Sequence, residues 1–182
     1  MKILLRIALT LVFILAIIGV LGLIAYADGS TLPVDHTVSV TGTIPASPEK
    51  VFARITNIVD APSWRHAVKA VTILPPDQGR DHWIEDLGHG QTMTFLALRT
   101  DAPSPQGQAR RDVLLDVPNA TYGGTWVYEL SPGPTPNTTT LKITETGFIH
   151  PPIYRFMMAH ILGPTANLAQ YMKDLQTAAP TL

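Results

Sequence analysis

The chain has 182 residues, with 13 Lys or Arg against 14 Asp or Glu, so its formal charge is −1 with the histidines neutral. That balance argues against nucleic acid, which is bound by clustered cations that displace counterions. With no cysteine in the chain, disulfides, thiol catalysis and Cys-ligated zinc or iron–sulfur centres are excluded.

Residues 7 to 27, IALTLVFILAIIGVLGLIAYA, form a run of 21 without one charge, preceded by Lys2 and Arg6 and followed by Asp28. As a helix rising 1.5 Å per residue the run reaches about 31 Å, the thickness of a bilayer's hydrocarbon core. It predicts a transmembrane anchor. The only basic residues near the run precede it, which places residues 1–6 in the cytoplasm and the rest across the membrane, a single-pass arrangement. The alternative is a signal peptide cut between Ala27 and Asp28, because Ala25-Tyr26-Ala27 has the small-x-small form. The apolar stretch is longer than the usual signal core of about 7 to 15 residues. Either reading puts the remainder outside the cytoplasm.

Residues 28–35 read as a tether that holds the downstream domain within roughly 25 Å of the bilayer. The 155 residues after the run suffice for one domain, expected over 36–178 with a short tail at 179–182. Without Lys2 and Arg6 the charge is about −3, which argues against tight docking on anionic lipid. All 16 prolines come after residue 32 and mostly punctuate loops, since proline lacks the donor a sheet interior needs.

Residues 36–44 alternate, with Val38, Val40 and Ile44 on one face and Thr37, Ser39, Thr41 and Thr43 on the other, which predicts a half-buried strand. Ser47-Pro48 then opens a helix that buries Val51, Phe52 and Ile55 and ends near Pro62, before a short turn that carries Trp64. Strands are predicted over 66–74, 80–86, 91–99, 109–117, 121–130 and 138–148, separated by short links such as Pro118-Asn119, which implies an antiparallel meander. Pro151-Pro152 opens a final helix with Ile153, Phe156, Met157, His160 and Ile161 on one face; it is kinked at Gly163-Pro164 and resumes with Leu168, Tyr171, Met172 and Leu175. A long antiparallel sheet with one long apolar-faced helix is an α+β two-layer arrangement.

TGTIPASPEKVFARITNIVDAPSW near the start, YGGTWVYELSP and LKITETGFIHPPIYRF near the end, and the long last helix resemble the START-like (SRPBCC) superfamily of polyketide cyclases and lipid-transport proteins. The resemblance covers about residues 36 to 178. It implies a helix-grip fold, a curved antiparallel sheet of about seven strands around the C-terminal helix with an apolar cavity between them. It carries over no catalytic residue.

Ligand contacts are expected from Trp83, Phe95, Trp126, Tyr128, Met157 and His160. His160, central in the apolar stripe, would present a polar tip to the cavity. The polar strand that holds His82, Trp83 and Glu85 reads either as a solvent-facing surface or as a cavity mouth. Glu145 shares parity with Leu141 and Ile143, so it points inward toward a partner such as Arg110 or Arg111, unless a bulge near Gly147 turns it out. His160, Glu145 and His82 are the weak candidates for proton transfer. The six histidines form no metal pattern, no nucleophile elbow is present, and no Gly-rich phosphate loop comes after a strand, so neither metal nor cofactor is expected. The expected function is binding of a hydrophobic small molecule or lipid by a membrane-tethered domain; the alternative is a cyclase or dehydratase acting through those acid–base groups.

Overall fold

The structure is a computed structural model and describes residues 2–116 and 121–179. The expected turn at Pro118-Asn119 and the end of the tail lie outside the described residues.

The apolar run lies in one helix, α1 (Lys2–Thr31), whose hydrophobic side chains are exposed along its length, as suits a helix solvated by lipid. It is longer than the uncharged run. Ser30 Oγ and Thr31 Oγ1 donate to the carbonyls of Tyr26 and Asp28, each at 2.7 Å, and the helix takes in the first four residues of the stretch expected to be a tether. Leu32, Pro33 and Val34 alone separate it from β1 (Asp35–Ile44).

Next come α2 (Pro48–Thr56), a 3-10 turn (Ile58–Asp60) and α3 (Ala61–Trp64). Ser47 stands at the N-cap of α2 with Pro48 behind it, and the helix buries Val51, Phe52 and Ile55. Six further strands complete the sheet: β2 (Ala70–Ile73), β3 (His82–Gly88), β4 (Gln91–Asp101), β5 (Ala109–Leu115), β6 (Tyr122–Pro132) and β7 (Thr139–Ile149). The seven strands form one sheet in the order β1-β7-β6-β5-β4-β3-β2, a meander with β1 returned beside β7. β1 and β7 pair without a bulge, Asp35 opposite Phe148 and Val38 opposite Glu145. Outward hydroxyls tie this pair across the strands, Ser39 to Thr144 at 2.9 Å and Thr37 to Thr146 at 3.3 Å.

The long final helix expected from the apolar stripe is two helices. α4 (Pro152–Met157) runs into a π-helical turn (Met158–Leu162), and α5 (Ala166–Ala178) begins after a break. Gly163 takes φ +89°, a left-handed backbone that ends the first helix, and Pro164 denies it a continuation. The two halves of the stripe therefore belong to different bodies. One compact unit holds the residues up to Val34 with Ile149–Gly163; the other holds Asp35–Phe148 with the residues from Pro164 on. In the second unit α5 buries Leu168, Tyr171, Met172 and Leu175, and with Ile44, Val51, Leu141 and Ile143 they form the core. This sheet and its helix make the α+β helix-grip fold.

Candidate functional site

The inner face of the second unit carries charge where a core is normally apolar. β3 presents Trp83 and Glu85 on one face, and both are buried, Glu85 at 2% exposure. The neighbouring face holds the half-exposed His82, Ile84 and Asp86. β5 buries Arg111 between Ala109 and Val113, leaving 1% of it exposed. From the end of α3 comes Arg65, whose backbone N–H closes the helix on the Ala61 carbonyl at 2.8 Å.

Arg65 Nη1 donates to Glu85 Oε1, and Trp83 Nε1 donates to the same oxygen at 3.2 Å. Arg111 Nη1 donates to the Ile55 carbonyl at 2.9 Å, one of the last carbonyls of α2, which have no partner within their helix. Its guanidinium lies 5.5 Å from the Trp83 ring centroid, and Trp83 stacks on Phe95 at 5.5 Å. Arg65 covers the Tyr171 ring at 5.2 Å. Around Tyr171 stand Trp64 at 5.2 Å, Tyr128 at 5.4 Å and Trp126 at 5.9 Å between ring centroids, an aromatic wall drawn from α3, β6 and α5.

Burial shapes the protonation of this cluster. It works against the Arg65 charge, but Glu85 and the two tyrosines outweigh it and hold the guanidinium above its ordinary range. Burial pushes the Tyr171 hydroxyl up to about 12 and Tyr128 well above the usual tyrosine value. Both phenols are neutral donors at physiological pH.

Several polar atoms here are buried without a hydrogen-bond partner among the described residues: Arg111 Nε and Nη2, Glu85 Oε2 and Trp64 Nε1. Asp81 Oδ2 is 3.6 Å from Arg111 Nη2, an ion pair too long for a hydrogen bond. Leaving such atoms unpaired costs about 1–3 kcal/mol each, more for charged groups. Trp64 and Arg65 also line an open groove of ≈ 420 Å³ together with His66 and Lys69.

Of the residues expected to contact ligand, the structure brings Trp83, Phe95, Trp126 and Tyr128 into this unit, with Trp126 and Tyr128 6.2 Å apart. Met157 and His160 lie in the α1 unit, where His160 Nε2 meets Asp28 Oδ2 at 2.8 Å and its ring packs on Phe156 at 4.9 Å. Glu145 does point to the inner face, but His36 at 3.5 Å is its partner, not Arg110 or Arg111; Val38 opposite Glu145 puts His36 on that same face. Arg110 turns to Asp112 and Glu129 instead. His82 stands 3.7 Å from Asp116. That separation too is longer than a hydrogen bond, and His82 Nε2 is buried without a hydrogen-bond partner among the described residues, so the three candidates stand beside three different residues, Asp28, His36 and Asp116. Expectation from the sequence left out Arg65, Glu85 as a buried anchor, and Arg111 as a group turned on the aromatic wall. The parity of Arg111 with Ala109 and Val113 was the available signal.

The family described as Polyketide cyclase / dehydrase and lipid transport matches residues 35–172. No curated protein matches the chain. Among solved structures, a START superfamily protein from Mycobacterium smegmatis is similar at TM-score 0.59 and 18% identity, covering 80% of this chain and 98% of its own. The Zhui aromatase/cyclase from Streptomyces sp. R1128 aligns at TM-score 0.60 and 15% identity, covering 80% and 94%. Norcoclaurine synthase from Thalictrum flavum aligns at TM-score 0.59 and 10% identity, covering 81% and 96%. At these identities the likeness is one of fold.

Proposed function

The chain belongs to the polyketide cyclase / dehydrase and lipid transport family, and from that premise we propose that it is a membrane-tethered, extracytoplasmic domain that binds a hydrophobic small molecule or lipid on the inner face of its helix-grip unit. Arg111 carries this reading. A guanidinium 1% exposed, with two nitrogens lacking hydrogen-bond partners among the described residues and beside an aromatic wall, is a costly arrangement that a ligand's acceptor oxygen relieves. A hydroxyl on the same ligand satisfies Glu85 Oε2. The body of the ligand lies against the half-buried rings of Trp64, Phe95 and Trp126, where burial contributes about 25 cal/mol per Å² of apolar area.

Lys2 and Arg6, ahead of the uncharged run of α1, support the orientation. Retention of α1 keeps the domain beside a reservoir of apolar ligand. The binding reading stands ahead of cyclase or dehydratase chemistry because within the helix-grip unit Glu145 and His82 stand beside different residues, His36 and Asp116, and His160 belongs to the α1 unit with Asp28 as its partner.

Native mass spectrometry of the full chain, released from detergent after incubation with a membrane lipid extract, tests the proposal. A stoichiometric apolar adduct is expected on the wild type and a much weaker one on Arg111→Met. A chain that takes up nothing from the extract would overturn it.

A further inference from the structure

The segment Ile149–Gly163 has no acidic side chain. Its one arginine is turned inward: Arg155 Nε donates to the Gly29 carbonyl at 2.8 Å, and Nη1 donates to the carbonyls of Ile149, at 2.9 Å, and His150. Gly29 is where the two helices touch, since a Cβ there would stand 2.0 Å from the Pro152 carbonyl oxygen. With the His160–Asp28 contact at 2.8 Å, these bonds fix the segment to the last turns of α1. That is the level at which the uncharged run ends, and so the level at which a spanning α1 leaves the hydrocarbon.

Three large apolar or aromatic side chains of the segment face outward, Tyr154 at 50% exposure, Ile161 at 66% and Leu162 at 55%, and His150, Ala159 and His160 are exposed with them. Water is a poor environment for such a set. The headgroup–acyl boundary suits it, because tyrosine favours that depth and short helices with one apolar side lie in it. The side chains of α1 are apolar and exposed as far as Tyr26, and the segment packs on the helix just beyond, at Asp28 and Gly29. We propose that Pro152–Leu162 is an interfacial element that lies in the membrane α1 crosses, with Tyr154, Ile161 and Leu162 inserted at the boundary of headgroups and acyl chains. The inference rests on reading α1 as a retained anchor. The Arg155 charge is held within the fold, so insertion depends on apolar area and not on anionic lipid.

The chain has no cysteine, so single-cysteine nitroxide reporters are clean probes. Variants Tyr154→Cys, Ile161→Cys and Leu162→Cys are compared in phosphatidylcholine nanodiscs with Leu15→Cys in α1 and Gln106→Cys in an exposed turn. Collision with oxygen and with a water-soluble nickel chelate is read for each. The inference expects the three segment reporters to favour oxygen over nickel several-fold more than Gln106→Cys, at a depth shallower than Leu15→Cys. Nickel access equal to that of Gln106→Cys, with Leu15→Cys still buried in lipid, overturns the inference alone. Shielding of the segment from both reagents means that a second copy covers it, and overturns it too. Nickel access at Leu15→Cys, or an intact mass that begins at Asp28, removes the anchor reading and the inference with it.

Discussion

The Arg65 guanidinium holds Oε1 of the Glu85 carboxylate, and Oε2 of that same buried group has no hydrogen-bond partner among the described residues. One oxygen of the carboxylate serves the fold, and the other is the one the proposed ligand would meet.

Breaking this pair from one side strands the remaining charge. Arg65→Met is expected to destabilise the helix-grip unit by about 3–5 kcal/mol, and Glu85→Leu by a similar amount. The double variant is expected to recover a large share of the loss, because neither charge is then left alone. Urea unfolding of all four proteins measures the coupling; additive losses would contradict it.

Arg111 separates stability from binding. Arg111→Met removes two unpaired buried nitrogens but also the bond to the Ile55 carbonyl, so unfolding should shift by no more than about 1–2 kcal/mol in either direction. Affinity for the adduct taken up from the lipid extract should fall at least about tenfold, the loss of one charged hydrogen bond. Equal affinity in titrations of the two proteins would remove Arg111 from the site.

Alkaline pH should weaken the unit. The unfolded chain ionises tyrosine near pH 10, whereas native Tyr171 holds its proton to about 12. The stabilising contribution is therefore complete below pH 10 and is lost as pH rises through 12, amounting to about 3 kcal/mol for this one group. Denaturant midpoints between pH 9 and 11 should decline in the wild type and decline less in Tyr171→Phe. An equal decline in both would place the effect elsewhere.

The contact of β6 with β7 depends on a missing side chain. A Cβ on Gly147 would lie 2.5 Å from the Gly123 carbonyl oxygen, backbone against backbone, with no flexible end to move aside. Gly147→Ala is expected to cost about 1–3 kcal/mol and lower the melting temperature by several degrees. An unchanged melting temperature would show that the strands can separate without penalty.

Much of the architecture was legible because the chain's local periods agree with its tertiary contacts. The alternation of Val38, Val40 and Ile44, the Ser47-Pro48 helix start, and the stripe through Leu168, Tyr171, Met172 and Leu175 are all met by burial on the expected side. Division of the final helix was harder to read. Ile153, Phe156, Met157 and His160 keep helical spacing, and spacing does not say which body a stripe packs against; the left-handed Gly163 decides that. The site was the least legible part. Arg65, Glu85 and Arg111 come from a helix end and two strands, and a charged residue at an inward position invites a solvent-facing reading until its distant partner is known.

The return of the chain to the α1 unit between β7 and α5 bears on what happens if the anchor is lost. A chain cut after Ala27 keeps Ile149–Gly163 in its middle but loses most of the helix beside it, and begins at Asp28, in the turn that Arg155 and His160 hold. The freed form would carry a sticky strap with Tyr154, Ile161 and Leu162 already bare. Shedding would then yield a self-associating particle or a client for chaperones, not a freely diffusing monomer.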